Sequence, residues 1–168
     1  MNQQIIYVIG VSGCGKSTIG KMLSERLDIP FYDGDDFHPK TNIEKMSSGQ
    51  ALEDNDRWPW LETIQSFAAE HIKKQSLVIA CSALKESYRQ ILMKDLENQC
   101  LWVHLYGNFD LILQRLNARK GHFFSPALLV SQFDTLESPE YGLQINIQAS
   151  PESIIDQVEK EYNQGSIK

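Results

Sequence analysis

The sequence has no apolar run long enough to cross a membrane. The longest candidates, such as residues 77–81, have the length of a strand, whereas a membrane span needs about 20 apolar residues in succession. The chain also opens without a basic segment or a small-residue cleavage site, so we expect no signal peptide. Both observations predict a protein without membrane association.

Cysteine is scarce in this chain. There are three, Cys14, Cys81 and Cys100, and they are far apart. An odd number of widely spaced cysteines is not typical of a disulfide framework, and the spacing is not that of a zinc site. The cysteines therefore predict reduced thiols and a cytoplasmic protein.

The chain also lacks an excess of basic residues. Sixteen lysines and arginines stand against twenty-two acidic residues, which gives a net charge of −6. This balance disfavours nonspecific binding to nucleic acid or to a membrane surface, both of which need a basic face. A phosphate ligand is still compatible with it, because a local nest of backbone amides can hold phosphate in an acidic protein.

The residues that are present predict one α/β domain over positions 1–168. The content of 42% hydrophobic and 23% charged residues is ordinary for a globular chain of 168 residues. Short apolar runs predict strands at 5–9, 31–33, 77–81, 101–105 and 143–147. Helical spacing predicts helices at 16–27 and near 60–74, 85–94, 109–118, 126–136 and 151–162. This alternation indicates a five-stranded, mostly parallel sheet with helices on both faces, whose ligands bind beyond the carboxyl ends of the strands.

Residues 10–17 read G-V-S-G-C-G-K-S and match the phosphate-binding loop pattern G-x-x-x-x-G-K-S/T, between a strand and a helix. Glycines let successive amides surround phosphate oxygens, and the helix start adds its positive dipole end. Lys16 is expected to reach the β- and γ-phosphates, and the Ser17 hydroxyl to ligate Mg²⁺. The alternative is a glycine-rich turn before a core helix. The loop residues predicted to bind ATP are Gly10, Val11, Ser12, Gly13, Cys14, Gly15, Lys16, Ser17 and, unless it caps the helix, Thr18.

An acidic turn, D-G-D-D, follows the second predicted strand at 33–36 and faces the same edge as the phosphate loop. Asp33 is predicted to hold Mg²⁺ through water. Asp35, two residues on, is predicted to point at an acceptor hydroxyl as base or orienting group. The alternative is a solvated acidic turn.

Four further segments carry a family resemblance. They are G-D-D-F-H-P at 34–39, followed by Asn42, Lys45, Met46 and Gly49; L-E-D-N-D-R-W-P-W-L at 52–61; A-C-S-A-L-K at 80–85, followed by Tyr88 and Arg89; and R-K-G-H-F-F at 119–124, which continues to 137. With the phosphate loop, these segments resemble the gluconokinase family of shikimate-kinase-like P-loop kinases over about residues 6–139. The resemblance implies a three-layer α/β/α sandwich with a helical lid at about 119–139. It also implies ATP- and Mg²⁺-dependent phosphorylation of D-gluconate to 6-phosphogluconate by a cytoplasmic homodimer.

The resemblance also assigns residue roles. Resemblance to nucleotide-monophosphate and shikimate kinases implies that Arg115 contacts adenine or phosphate. It implies that Arg119 clamps the transferring phosphate as the lid, with its tip at 120–122, closes. The alternative for both arginines is a solvated basic helix face.

Gluconate is an anionic open-chain polyol, so its site needs one cation and several hydrogen-bonding groups. Arg57 is the first choice for the carboxylate, because its guanidinium offers a bidentate fork; the alternative is a surface ion pair with Asp54 or Asp56. Arg57 is expected at the cleft rim, just before a helix that starts near position 60. Further candidates for substrate contacts are His38, Lys45, Lys85, Arg89 and Gln132.

Two rival functions remain open at this stage. One is a shikimate-type kinase, although Ser82-Ala83-Leu84 stands where such kinases usually carry a glycine run. The other is a nucleotide-binding module that phosphorylates nothing. Cys14 departs from the serine common in the family, and its place beside Lys16 and a helix start predicts a reactive thiol. The alternative is an inert thiol that points back into the protein.

Overall fold

A five-stranded sheet lies at the centre of the structure. This computed structural model describes residues 2–119 and 125–165. The strands are β1 (Ile5–Ile9), β2 (Phe31–Asp33), β3 (Leu77–Ala80), β4 (Cys100–Tyr106) and β5 (Leu143–Asn146). Their order in the sheet is β2-β3-β1-β4-β5, and all four pairings between neighbours are parallel. The predicted sheet is confirmed, and it is parallel throughout the described strands.

Helices cover both faces of this sheet. They are α1 (Lys16–Leu27), α2 (Lys40–Ser47), α3 (Asp54–His71), α4 (Glu86–Met93), α5 (Phe109–Asn117), α6 (Pro126–Thr135) and α7 (Pro151–Gln164). Short 3-10 turns occupy Gly34–Phe37 and Glu97–Gln99. In the ranges 2–119 and 125–165, none of these helices is long and apolar enough to cross a membrane.

The central strand β1 is continuously apolar because both of its faces are covered. Ile6 and Val8 belong to the core cluster under α1, α5 and α7, whereas Ile5, Tyr7 and Ile9 belong to the cluster under α3 and α4. Successive side chains of a strand point to opposite faces, and here both faces are covered. All five residues are therefore buried.

Helix α3 begins six residues before the predicted start near position 60. A capping box sets this start: the Glu53 side chain accepts from the third residue of the helix, and the Asp56 side chain accepts from the backbone of Glu53. Pro59 lies inside the helix and removes one hydrogen bond, which obscured the pattern in the sequence. The correction matters for the site, because it places Arg57 in the first turn of α3.

The apolar pattern did not predict helix α2. Only Asn42 of this helix is buried, and its apolar residues Ile43 and Met46 are 50% and 41% exposed. A helix without an apolar face against the core has no periodic signal to detect. This helix nevertheless forms one side of the candidate site.

Candidate active site

Three loops meet at the carboxyl edge of the sheet. The phosphate loop follows β1, the turn Gly34–Phe37 follows β2, and residues 81–85 follow β3. Because β2, β3 and β1 are neighbours, these loops lie side by side. Residues that are far apart in the sequence thereby come to one cleft.

The phosphate loop packs so closely that only glycine fits at key positions. A Cβ atom at Gly10 would lie 2.5 Å from the Leu105 carbonyl oxygen, and one at Gly13 would lie 2.6 Å from the Leu116 side chain. Gly15 is the N-cap of α1, with φ at 94°, and no side chain caps the helix. The first amides of α1 are thus free of a capping side chain and available to an anion.

The predicted metal ligands lie together at the base of this loop. The Ser17 hydroxyl donates to Asp33 Oδ2 at 2.9 Å, and Asp33 Oδ1 accepts from the Asp35 amide at 3.0 Å. Hydroxyl and carboxylate oxygens are hard donors that suit Mg²⁺, which takes one or two protein ligands and completes its shell with phosphates and water. Ser17 and Asp33 therefore fit a magnesium ion held mainly by ATP.

Three pockets follow one another along the cleft. The phosphate pocket, of about 190 Å³, is lined by the phosphate loop, Asp33, Asp35, Ser82 and Arg119. The acceptor pocket, of about 320 Å³, shares Ser12, Lys16, Asp35 and Ser82 with it. The outer pocket, of about 240 Å³, shares Gly13, Gly15, Thr18 and Arg119 with it. The phosphate pocket thus lies between the other two, as transfer from a nucleotide to an acceptor requires.

Lys16 and Asp35 lie on the boundary between the phosphate and acceptor pockets. Lys16 Nζ donates to the Val11 carbonyl at 2.9 Å. The Asp35 side chain is 79% exposed, yet it lies in a concave cleft. Desolvation by the cleft walls and then the charge of Asp33 raise the pKa of Asp35, against the opposing effect of Lys16. A carboxylate beside the phosphate pocket can accept a proton from a hydroxyl group.

Arg57 lines the acceptor pocket. Asp54 and Asp56, its predicted alternative partners, are paired with Lys85 at 3.1 Å and Lys45 at 2.7 Å. Among the described residues Arg57 has no ion pair: Nη2 donates to the Leu52 carbonyl at 3.2 Å, and Nε is buried without a partner. A buried N–H without an acceptor is costly, so the site is suited to an anionic ligand.

His38 also lines the acceptor pocket, beneath Asp35. Its ring stacks on Trp60, with 4.1 Å between ring centroids and 15° between planes, and its Nε2 lies 3.8 Å from Asp35 Oδ1. Burial and then the charge of Arg57 lower the pKa of His38 to about 4. The imidazole is therefore neutral at physiological pH.

Gln132 connects α6 to the phosphate loop. Its side-chain oxygen accepts from the Ser12 amide at 2.7 Å, and its side-chain nitrogen donates to the Ser12 hydroxyl at 2.9 Å. Gln132 lines the acceptor pocket. Helix α6 lies within the predicted lid segment, so Gln132 brings that segment to the phosphate loop.

Three predicted substrate contacts do not line the acceptor pocket. Lys45 and Lys85 are engaged in the ion pairs with Asp56 and Asp54. Arg89 is 1% exposed, and its guanidinium donates to the carbonyls of Ala83, Leu84 and Glu137. The prediction that Arg89 binds substrate is wrong: a buried guanidinium with its donors occupied braces the loop after β3.

The two lid arginines line the outer pocket with Ala149. Arg115 Nη2 donates to the Ile147 carbonyl at 3.0 Å, which joins α5 to the end of β5. Arg119 lines the phosphate pocket as well. The predicted lid tip at 120–122 lies outside the described residues.

The Cys14 thiol is buried, which disfavours the predicted reactive cysteine. Cys14 is 1% exposed, belongs to the core cluster under α1, and its Sγ lies 2.7 Å from where a Cβ of Gly10 would stand. The burial favours the alternative of a thiol that points into the protein. Cys81 and Cys100 are also buried, and burial raises the pKa of each to about 12.

Two further residues, Trp60 and Asn42, belong to the site. Trp60 is buried and also walls the acceptor pocket, and its Nε1 donates to the Gly34 carbonyl at 2.7 Å. Asn42 was noted only as part of a motif, yet it is 3% exposed and contacts His38. The proximity of Asn42 to the H-P dipeptide was the available signal.

A parallel sheet, a glycine-rich loop before a helix and three contiguous pockets define a P-loop phosphotransferase of the small-molecule kinase type. Residues 12–162 match the sequence model of the shikimate kinase family, "SKI: Shikimate kinase". Within that fold group the chain belongs to the gluconokinase family, as its relatives show.

The chain is 48% identical to the thermoresistant gluconokinase of Escherichia coli K12 over 137 residues, which cover 80% of this chain and 77% of that one. It is 41% identical to a probable gluconokinase of Xenopus tropicalis, with 95% and 93% covered. The solved structure of a gluconokinase from Sinorhizobium meliloti 1021 matches with a TM-score of 0.84, 36% identity and 97% of each chain covered. The resemblance stated from the motifs is confirmed.

Proposed function

We propose that this protein transfers the γ-phosphoryl group of ATP to the 6-hydroxyl of D-gluconate, giving ADP and 6-phospho-D-gluconate. The observation that carries the proposal is the boundary between the phosphate and acceptor pockets, where Lys16 and Asp35 line both. The gluconokinase relatives support gluconate as the acceptor.

The substrate orientation follows from the charges of the acceptor pocket. Arg57 binds the gluconate carboxylate at one end, because in the described part of the chain it has no ion pair and Lys16, the other unpaired cation of this pocket, lies at the boundary with the phosphate pocket. Asp35, at the other end, meets the terminal hydroxyl. The hydroxyls between them contact His38, Gln132 and Ser82, which line the same pocket. An open chain held at its carboxylate places its far hydroxyl beside the phosphate pocket.

In the transfer step, the 6-hydroxyl oxygen forms a bond to the γ-phosphorus as the bond to the β,γ-bridging oxygen breaks. The hydroxyl proton passes to Asp35, and ADP leaves with the bridging oxygen. In this loose transition state, Lys16 and Arg119 neutralise phosphate charge, and Asp35 chiefly orients the attacking oxygen. Ser17 and Asp33 would hold Mg²⁺, which when bound neutralises phosphate charge.

The nucleotide occupies the other two pockets. The amides of residues 10–18 contact the phosphates, and the base lies in the outer pocket against Arg115. Gln132 must release the Ser12 amide if a phosphate oxygen is to take its place. The family resemblance further supports a cytoplasmic location and a homodimer. Sedimentation of the purified protein would test the dimer.

A coupled assay of ADP release across several acceptors tests this function. Gluconate should stimulate ATP turnover strongly, whereas its uncharged relatives glucose and sorbitol should not, since they offer no carboxylate to Arg57. Shikimate and nucleoside monophosphates distinguish the rival kinases of the same fold. Stimulation by shikimate alone, or by no acceptor, would contradict the proposal.

A further inference from the structure

Asn42 connects helix α2 to the acceptor pocket through a single side-chain nitrogen. This Nδ2 lies 2.9 Å from the Asp56 carbonyl oxygen and 3.3 Å from His38 Nδ1. Asn42 is 3% exposed, so water does not compete for these bonds. The mechanism above gives this buried amide no role.

The first of these contacts fixes the orientation of the amide. A backbone carbonyl oxygen can only accept a hydrogen bond, so the Asn42 atom that faces Asp56 must be the nitrogen and not the oxygen. The amide nitrogen carries two hydrogens, and the second one is directed to His38 Nδ1. His38 Nδ1 must therefore accept, and in the neutral ring the proton resides on Nε2.

The ring is also fixed in its plane. His38 stacks on Trp60, and the Trp60 indole donates to the Gly34 carbonyl, in the turn that carries Asp35. The Nε2–H of His38 faces Asp35 Oδ1 at 3.8 Å, and the exposed Asp35 side chain can close that gap by a small rotation. Burial and then the proximity of Arg57 lower the pKa of His38, so the ring is neutral.

From this geometry we propose that Asn42 is a positioning residue: it fixes His38 as the Nε2–H tautomer, whose N–H holds the Asp35 carboxylate in place for the acceptor hydroxyl. The inference rests on the proposed function, because it takes Asp35 as the group that orients this hydroxyl. With the proton on Nδ1 instead, the lone pair of Nε2 would face a carboxylate, and the two would repel each other.

The tautomer is read directly by a long-range proton–nitrogen correlation spectrum, which needs no substrate. The chain has four histidines, and the spectrum of His38→Gln identifies the signal of His38. The wild-type ring should carry its proton on Nε2. A proton on Nδ1 in the wild-type protein would overturn the inference.

Two substitutions of Asn42 separate positioning from packing. Asn42→Asp and Asn42→Leu have similar shapes and both lose the bond to Asp56, but only the aspartate draws the imidazole proton to Nδ1. Asn42→Asp should show the Nδ1–H signal and lower kcat for gluconate about tenfold more than Asn42→Leu, with KM for ATP unchanged in both. Equal kcat values in the two variants would contradict the inference.

The His38→Gln background supplies the second control. A glutamine places its amide N–H near the position of Nε2 and has no tautomer. In the His38→Gln background, Asn42→Asp should therefore lower kcat only slightly further. A full tenfold loss in this background would show that Asn42 acts only through packing. If Asn42→Asp does not fold, the wild-type spectrum still shows which nitrogen of His38 carries the proton and so decides the inference. If the wild-type enzyme releases no ADP with gluconate, the proposed function fails while the tautomer result stands.

Discussion

The phosphate side and the acceptor side of the cleft are built from different groups. The phosphate side centres on one continuous segment within residues 10–18, whose backbone amides face the pocket, with Asp33, Asp35, Ser82 and Arg119 around it. The acceptor side collects side chains from α2, α3, α6 and the loops after β2 and β3. Its polar groups are held by one another: Asn42 by Asp56, and Trp60 by Gly34. Binding by backbone depends on a local glycine pattern, whereas binding by side chains depends on packing.

The largest effect is expected on the phosphate side. Lys16→Ala should lower kcat by about 100-fold or more, because the ammonium group neutralises phosphate charge in the transition state. The fold should be retained, since Lys16 contacts only loop atoms. Coupled ADP release measures kcat, and circular dichroism measures whether the fold is retained. Lys21, an exposed lysine five residues further along α1, gives the matched control: Lys21→Ala should keep its activity.

Substitutions of Asp33 and Asp35 test which of these two aspartates acts on the metal and which acts on the acceptor hydroxyl. Asp35→Asn should lower kcat about 100-fold with KM for ATP unchanged, because an amide does not accept the hydroxyl proton and orients the hydroxyl less well. Asp33→Asn should instead raise the Mg²⁺ concentration needed for half-maximal rate. Titrations of Mg²⁺ compare them, and Asp36→Asn, exposed and outside the phosphate and acceptor pockets, is the control. Identical Mg²⁺ titrations for Asp35→Asn and Asp33→Asn would contradict the different roles proposed for the two aspartates.

Arg57 tests the acceptor side. Arg57→Lys should raise KM for gluconate about tenfold and leave KM for ATP unchanged, because lysine loses the bidentate geometry. Arg26→Lys is the matched control: Arg26 pairs with Glu152, Asp156 and Glu159 on α7, so its loss should affect stability and neither KM. Equal changes in both KM values of Arg57→Lys would move Arg57 out of the acceptor pocket.

The acceptor side should also make stability depend on pH. Burial lowers the pKa of His38 from 6.5 to about 4, so the unfolded chain binds a proton at higher pH than the folded one. Stability from this group is complete above pH 6.5 and falls as the pH drops towards 4, by at most about 3 kcal/mol.

The melting temperature of His38→Gln should therefore fall less than that of the wild type as the pH is lowered across this range. Burial also lowers the pKa of His104, so His104→Gln should remove a separate share of the same decline. An unchanged pH slope in His38→Gln would show that its burial has no such consequence.

The smallest effect is expected from Cys14. Its thiol is buried, like those of Cys81 and Cys100, so brief alkylation of the folded protein should label none of the three rapidly. Mass mapping with and without MgATP measures this, and Cys14→Ser should alter neither labelling nor activity greatly. Rapid, ATP-sensitive labelling of Cys14 would mean that the phosphate loop opens and exposes its side chains.

Much of the fold could be predicted because its signals are local. The phosphate loop, the bounds of α1 and β2 and the order of strands and helices all follow from glycine spacing and apolar periodicity. Helix α2 and the early start of α3 could not be predicted in this way. Helix α2 has almost no buried face, and α3 is set by a capping box ahead of an internal proline.

The sequence by itself determined the chemistry available: a phosphate loop, an acidic turn beside it and one arginine suited to a carboxylate. Only the tertiary structure decided which charged side chains are free for substrate. The sequence favours Arg57 but keeps Lys45 and Lys85 as further candidates, and only the structure shows that Asp56 and Asp54 pair with the lysines and leave Arg57 to the pocket. Pairing depends on distances between segments far apart in the chain, and no local pattern encodes those distances.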